Sequence, residues 1–138
     1  MKPIKEACML MLEKLGWNVN ERNNPLRLDA IRSLQSKKTF GLEWETGNIS
    51  SSHRAINRIL LGHSQNILAG GVLVVPTRAL YQYLTDRVGN FQELEPYFEV
   101  WRSYPLQEGM VIIIAIEHDG VQDDIPRIQK GTDGRVLI

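Results

Sequence analysis

Apolar side chains recur at three- and four-residue intervals from Ile4 through Ala7, Cys8 and Met11 to Leu15. Pro3 stands at a first-turn position and Gly16 follows the last of them, so the pattern predicts a helix with that stripe turned inward. Trp17–Glu21 reads as a short strand and Asn23-Asn24-Pro25 as a turn. Leu26, Leu28 and Ala30 then alternate with Arg27, Asp29 and Ile31, which predicts a strand from about Leu26 to Leu34. Polar Gln35–Lys38 closes a hairpin onto a clearer strand, in which Phe40, Leu42 and Trp44 alternate with Gly41, Glu43 and Glu45. One face of that strand is bulky and apolar; the other carries a small residue and two carboxylates.

Gly47-Asn48 breaks the pattern, and Ser50 or Ser51 can cap the helix that follows. Ala55, Ile56, Ile59 and Leu60 form its inner stripe, with Arg54 and Arg58 on its outer face. Val72–Val75 is apolar on both parities, as a strand covered on both sides must be. Pro76-Thr77 ends it and starts a helix running to about Thr85. A second helical stretch, Asn90–Arg102, gathers Phe91, Leu94, Phe98 and Trp101 on one side, and Met110–Ile116 reads as another buried strand. The order predicts an α/β fold, a mixed sheet with helices packed on it.

Composition narrows the class. A length of 138 residues suits one domain over 1–138, with about 120–138 as a loosely packed C-terminal tail. Hydrophobic content of 43% and charged content of 23% are those of a globular chain. Met110–Ile116 is far too short to span a bilayer, so no membrane partner is expected. The start, Met1–Lys14, lacks a signal-peptide core, and a single cysteine, Cys8, excludes an internal disulfide; a cytoplasmic location is the expectation. Formal net charge is zero, which argues against binding nucleic acid by bulk electrostatics. The charge is uneven, however: Lys and Arg outnumber acids between Arg22 and His63, whereas the stretch from Glu93 onward is acid-rich.

The candidate chemistry lies in the carboxylates. Glu43 and Glu45, two apart on a strand, project from one face, and Asp29 on the paired strand can face the same space if the hairpin is in register. Converging carboxylates repel unless something positive sits between them, and a hard divalent cation is the usual solution. Periodicity alone favours a plainer alternative, an acidic strand face left in water.

The surrounding sequence changes that balance. Leu28-Asp29-Ala30, then Gly41-Leu42-Glu43-Trp44-Glu45-Thr46-Gly47-Asn48, then a helix around His53-Arg54 and the segment Gly70–Pro76 resemble the PD-(D/E)xK nuclease superfamily. More narrowly they resemble its BamHI–BglII-like restriction endonucleases, over about residues 3 to 104. The resemblance implies a restriction-endonuclease-like fold and a metal-dependent DNA endonuclease using Mg2+, with Mn2+ as a substitute. It implies Asp29 and Glu43 as metal ligands, the main-chain carbonyl of Trp44 as a further ligand, and Glu45 as the group that activates water where many members carry a lysine. It also implies a glutamate from the first helix, and Glu6 is chosen over Glu13 because it lies beside the stripe of Ile4, Ala7 and Met11. His53, Arg54 and Arg58 are candidate DNA contacts, double-stranded DNA is the expected partner, and a homodimer is expected because two-fold symmetry suits a duplex. Arg54 and Arg58 read equally well as a solvated helix face. The competing function is a non-catalytic nucleic-acid-binding or assembly module on the same fold; short length and zero net charge favour it, and the intact carboxylate set favours the enzyme.

Overall fold

The computed structural model describes residues 2–19, 24–84, 88–124 and 129. Helix α1 spans Lys2–Lys14 and ends as its glycine demands. Gly16 adopts φ +84°, its N–H donates to Glu13 O, and the Trp17 N–H reaches back to Leu12 O, which together close a Schellman cap. The chain leaves the helix at Trp17, which touches the sheet together with Leu12.

Four strands follow in the order β1-β2-β3-β4: β1 (Ala30–Ser33), β2 (Thr39–Trp44), β3 (Leu68–Pro76) and β4 (Met110–Ile116). β1 pairs antiparallel with β2, with Ala30 opposite Leu42, whereas β2–β3 and β3–β4 are parallel. The sheet is therefore mixed and carries helices, as the order of elements implied. The β2–β3 crossover is α2 (Ile49–Ser64), capped by Asn48, whose side chain accepts from the Ser51 N–H, rather than by Ser50 or Ser51. After β3 come α3 (Arg78–Tyr81), α4 (Phe91–Leu94), a 3-10 turn at Glu95–Tyr97 and α5 (Phe98–Arg102).

The two faces of β2 define two packing layers. Leu42 and Trp44 join Ala30, Val72 and Val74 on one face, against Cys8, Met9 and Leu12 of α1. On the other face Ala55 and Ile56 of α2 pack with Leu73, Val75 and Leu94, and Leu28 meets Ile59 and Leu68. Gly41 is small because the Leu28 side chain occupies the space its Cβ would need.

Several expectations are corrected. The stripe of α1 that packs is Cys8, Met9 and Leu12; Ile4, Met11 and Leu15 are 49%, 56% and 57% exposed. Sequence spacing marks the whole apolar arc of a helix but not which half of it meets the sheet. The strand expected over Leu26–Leu34 shortens to Ala30–Ser33, because Arg27 takes a positive φ of 53° and breaks the extended backbone. The strand at Trp17–Glu21 reduces to one bridge, Asn18 to Ile31, with Asn20 and Glu21 outside the described residues. The helix expected after Pro76 stops at Tyr81, and the Asn90–Arg102 helix is interrupted by the 3-10 turn containing Pro96, which has no N–H to give. β4 is strand as expected but only partly buried, since it has a neighbour on one side among the described residues. Most of the expected tail, 125–128 and 130–138, lies outside the described residues. No helix among the described residues is long and apolar enough to cross a membrane.

Candidate active site

Asp29 sits one residue before β1, and continuing the register from Ala30–Leu42 sets it against Glu43. Its place is fixed from upstream by Asn24, a buried side chain whose Nδ2 donates to Leu28 O and whose Oδ1 accepts from the Leu28 N–H, both at 2.8 Å. Asn24 thus does for Leu28 what a neighbouring strand would do, and it holds the backbone beside Asp29 without a strand. In sequence Asn23-Asn24-Pro25 marks a turn, and an Asn followed four residues later by an apolar residue carries no further signal.

Asp29 and Glu43 are interlocked through main chain. The Asp29 N–H donates to Glu43 Oε2 at 3.1 Å, and the Trp44 N–H donates to Asp29 Oδ2 at 2.8 Å. The remaining oxygens meet cations from two helices: Lys5 Nζ of α1 lies 2.5 Å from Asp29 Oδ1, and Arg58 Nη1 of α2 lies 2.5 Å from Glu43 Oε1. Asp29 and Glu43 are only 6% and 8% exposed, so they are not an acidic face left in water. Glu45 is half-buried at the end of β2, and its Oε1 accepts from the Gly47 N–H at 2.6 Å.

Glu43 is the electrostatic focus. Burial, and then the Asp29 carboxylate, push its pKa up to about 7; Glu45 adds to this, while Arg58 and the Asp29 N–H pull the other way. The Arg58 ion pair, short as it is, does not outweigh desolvation, which accords with the high cost of burying a charge.

The other expected site residues separate by geometry. Arg54 and Arg58 share an edge of α2, but Arg58 engages Glu43 and Arg27 O, whereas Arg54 is exposed and donates to Ser51 Oγ. His53 points to the opposite edge, its ring 4.3 Å from Tyr97 and 5.3 Å from Trp101. Glu6 is exposed and lines a cleft between α1 and Thr46, together with Lys5 and Glu13. The basis for preferring Glu6 is removed, because the stripe beside it faces outward and both glutamates border the same cleft. Lys5 was missed altogether: on a helical wheel it is an ordinary polar position, and only the fold brings it to Asp29.

The donor set suits a hard divalent cation, since the interlocked groups are two carboxylates and a strand end, all oxygen donors. Among the described residues no group of three His, Cys, Asp or Glu side chains converges at ligating distance, so protein carboxylates alone supply a pair rather than a cage.

The chain thus has a mixed sheet with a buried acidic pair at the end of a hairpin strand, and comparison with known proteins identifies its class as the restriction endonucleases. The profile of the restriction endonuclease BamHI family matches residues 1–135. The type II restriction enzyme OkrAI of Oceanobacter kriegii is 50% identical over 143 residues, covering 99% of this chain and 73% of that enzyme. The type II restriction enzyme BamHI of Bacillus amyloliquefaciens is 37% identical over 144 residues, covering 96% of this chain and 65% of that enzyme. The chain belongs to the BamHI restriction endonuclease family and spans between about two thirds and three quarters of the length of these two relatives.

The pKa of Glu43 sets a pH dependence of stability. Between pH 4.5 and about 7 the folded state holds a proton on Glu43 that the unfolded state has released, so this group's stabilising contribution is complete below 4.5 and is lost as pH rises through about 7. Glu43→Gln mimics the protonated form and removes that loss. Thermal melts of metal-free protein should show parent and variant nearly equal near pH 4.5 and the variant the more stable above pH 7, by at most about 3 kcal/mol. A pH-independent difference between the two would contradict the buried-carboxylate account.

Proposed function

We propose that this chain carries the cleavage centre of a type II restriction endonuclease that hydrolyses phosphodiester bonds in double-stranded DNA with Mg2+, for which Mn2+ can substitute. The observation that carries this reading is the pair of buried, interlocked carboxylates, Asp29 and Glu43, at the end of β2 in a chain of the BamHI family. Asp29 and Glu43 would hold the ion. The Trp44 carbonyl is a fitting third donor, because in extended backbone N–H and C=O of one residue point the same way, and that N–H already points at Asp29. A bound divalent ion supplies a water of lowered pKa and neutralises charge on the phosphate oxygens.

The chain's own groups then divide the work. Glu45, at the strand end beside the pair, is the proton acceptor for the attacking water; its bond to the Gly47 N–H fixes the carboxylate at the rim. Arg54, exposed on the edge of α2 nearest the carboxylates, is available to DNA. His53, half-buried with its ring against Tyr97 and Trp101, has a packing role in this reading. We place the protein in the cytoplasm, with its DNA.

The enzyme and the non-catalytic module part on one experiment. Plasmid cleavage with Mg2+ should be abolished by EDTA and should fall by orders of magnitude in Glu43→Gln, since charge at that position holds the ion. DNA binding without metal should be unchanged or tighter, because the site loses a carboxylate while Arg58 keeps its charge. Cleavage by the variant at the parent's rate, or binding by the parent with no cleavage at any Mg2+ or Mn2+ concentration, would support the module instead.

A homodimer joined through α2 and the helices after β3 is part of this proposal. Tyr97 and Val100 are 47% and 65% exposed beside His53 and Trp101, an apolar aromatic face suited to a two-fold contact. Light scattering should give twice the 15.8 kDa chain mass, and Val100→Asp should return the protein to monomer. A monomeric parent, both free and on DNA, would contradict the dimer.

A further inference from the structure

Lys5 and Arg58 hold the carboxylate oxygens that the main chain leaves free. Each carboxylate has one oxygen held by rigid main chain, Asp29 Oδ2 by the Trp44 N–H and Glu43 Oε2 by the Asp29 N–H. The other oxygen of each is held by the tip of a long side chain, Lys5 on Asp29 Oδ1 and Arg58 on Glu43 Oε1. The carboxylate side chains are 7% and 11% exposed while their cations are 27% and 32% exposed, so the negative charges are fixed inside and the positive ones reach in from the rim. Lys5 and Arg58 come from helices packed on opposite faces of the sheet, and no local sequence rule brings them together.

The charge arithmetic is balanced. Two carboxylates side by side in a poorly hydrated site are costly, and two monovalent cations bring them the same formal charge as one divalent ion would. An ion that took these carboxylate oxygens would displace the ammonium and the guanidinium, and the formal charge beside the pair would be unchanged by the exchange. Both groups sit on flexible stems; Arg58 also donates to Arg27 O, whereas Lys5 borders the open cleft beside Thr46 into which it can withdraw.

We propose that Lys5 and Arg58 are displaceable counter-ions that hold the Asp29–Glu43 pair in its metal-free state and compete with the divalent ion for it, so that Lys5 sets metal affinity as a positioning residue. This rests on the reading of Asp29 and Glu43 as the metal pair. Removing Lys5 therefore has two opposite effects. The metal-free protein loses the partner of a buried carboxylate and melts lower, while metal binding loses its competitor and tightens. A residue that merely braces the fold would lower the melting temperature and weaken metal binding with it.

The test is calorimetric titration of Mn2+ into the full chain, alongside melts without metal, for the parent, Lys5→Met, Lys5→Gln, Lys5→Arg and Asp29→Asn. Lys5→Met and Lys5→Gln should each bind Mn2+ about tenfold more tightly than the parent while melting lower without metal. Lys5→Arg, which restores the cation, should return both values toward the parent's, and Asp29→Asn should lose binding. If either folded neutral variant binds Mn2+ with unchanged or weaker affinity, the counter-ion role is wrong even though Asp29→Asn loses binding as the metal-pair reading requires. If Asp29→Asn binds as well as the parent, the metal-pair reading falls, and the counter-ion proposal falls with it.

Discussion

Two carboxylates buried side by side would repel each other and suffer for want of water, and much of the surrounding structure answers that cost. The Asp29 N–H serves Glu43, the Trp44 N–H serves Asp29, and Lys5 and Arg58 deliver positive charge from two different helices. The compensation is incomplete at Glu43, whose pKa rises to about 7 in spite of Arg58. A site left in that condition is poorly suited to stability for its own sake and well suited to receiving a cation, since buried, perturbed carboxylates gather where chemistry is done.

The fold supplies the positions with ordinary means. The antiparallel β1–β2 pair brings Asp29 to Glu43, the parallel β2–β3 pair anchors the end of β2 through the Glu45 N–H to Val74 O, and the crossover helix α2 swings Arg58 back over the strand. Asn24 replaces a strand neighbour where the chain turns at Arg27, so the backbone ahead of Asp29 is held although it is not regular sheet. Cys8, Met9 and Leu12 pack α1 on the sheet, and Lys5 of the same helix reaches Asp29.

How much of this was legible in sequence follows from the range of the forces involved. Period-two alternation in Phe40–Glu45 reports local geometry, and it correctly separated the Leu42 and Trp44 face from the Glu43 face. The apolar run Val72–Val75 likewise announced a covered central strand. Asp29 beside Glu43 depends on hairpin register, which the sequence leaves as a condition and the Ala30–Leu42 pairing meets. The cations were a different matter. Lys5 is 24 residues from Asp29 and Arg58 is 15 from Glu43, and tertiary packing alone decides which lysine or arginine arrives. For the same reason the packed half of α1 was misjudged: Ile4 and Met11 are as apolar as Met9 and Leu12, and only the sheet's position tells them apart. The buried role of Asn24 left no periodic trace at all.

The central claim is that Asp29 and Glu43 together hold a divalent ion in place of Lys5 and Arg58. Anomalous diffraction at the manganese edge, from crystals grown with Mn2+, examines it most directly. The account predicts a peak roughly 2.0–2.3 Å from a carboxylate oxygen of each residue, with the Lys5 ammonium withdrawn from Asp29. A peak bound elsewhere, or none at saturating Mn2+ with Lys5 still on Asp29 Oδ1, would contradict it.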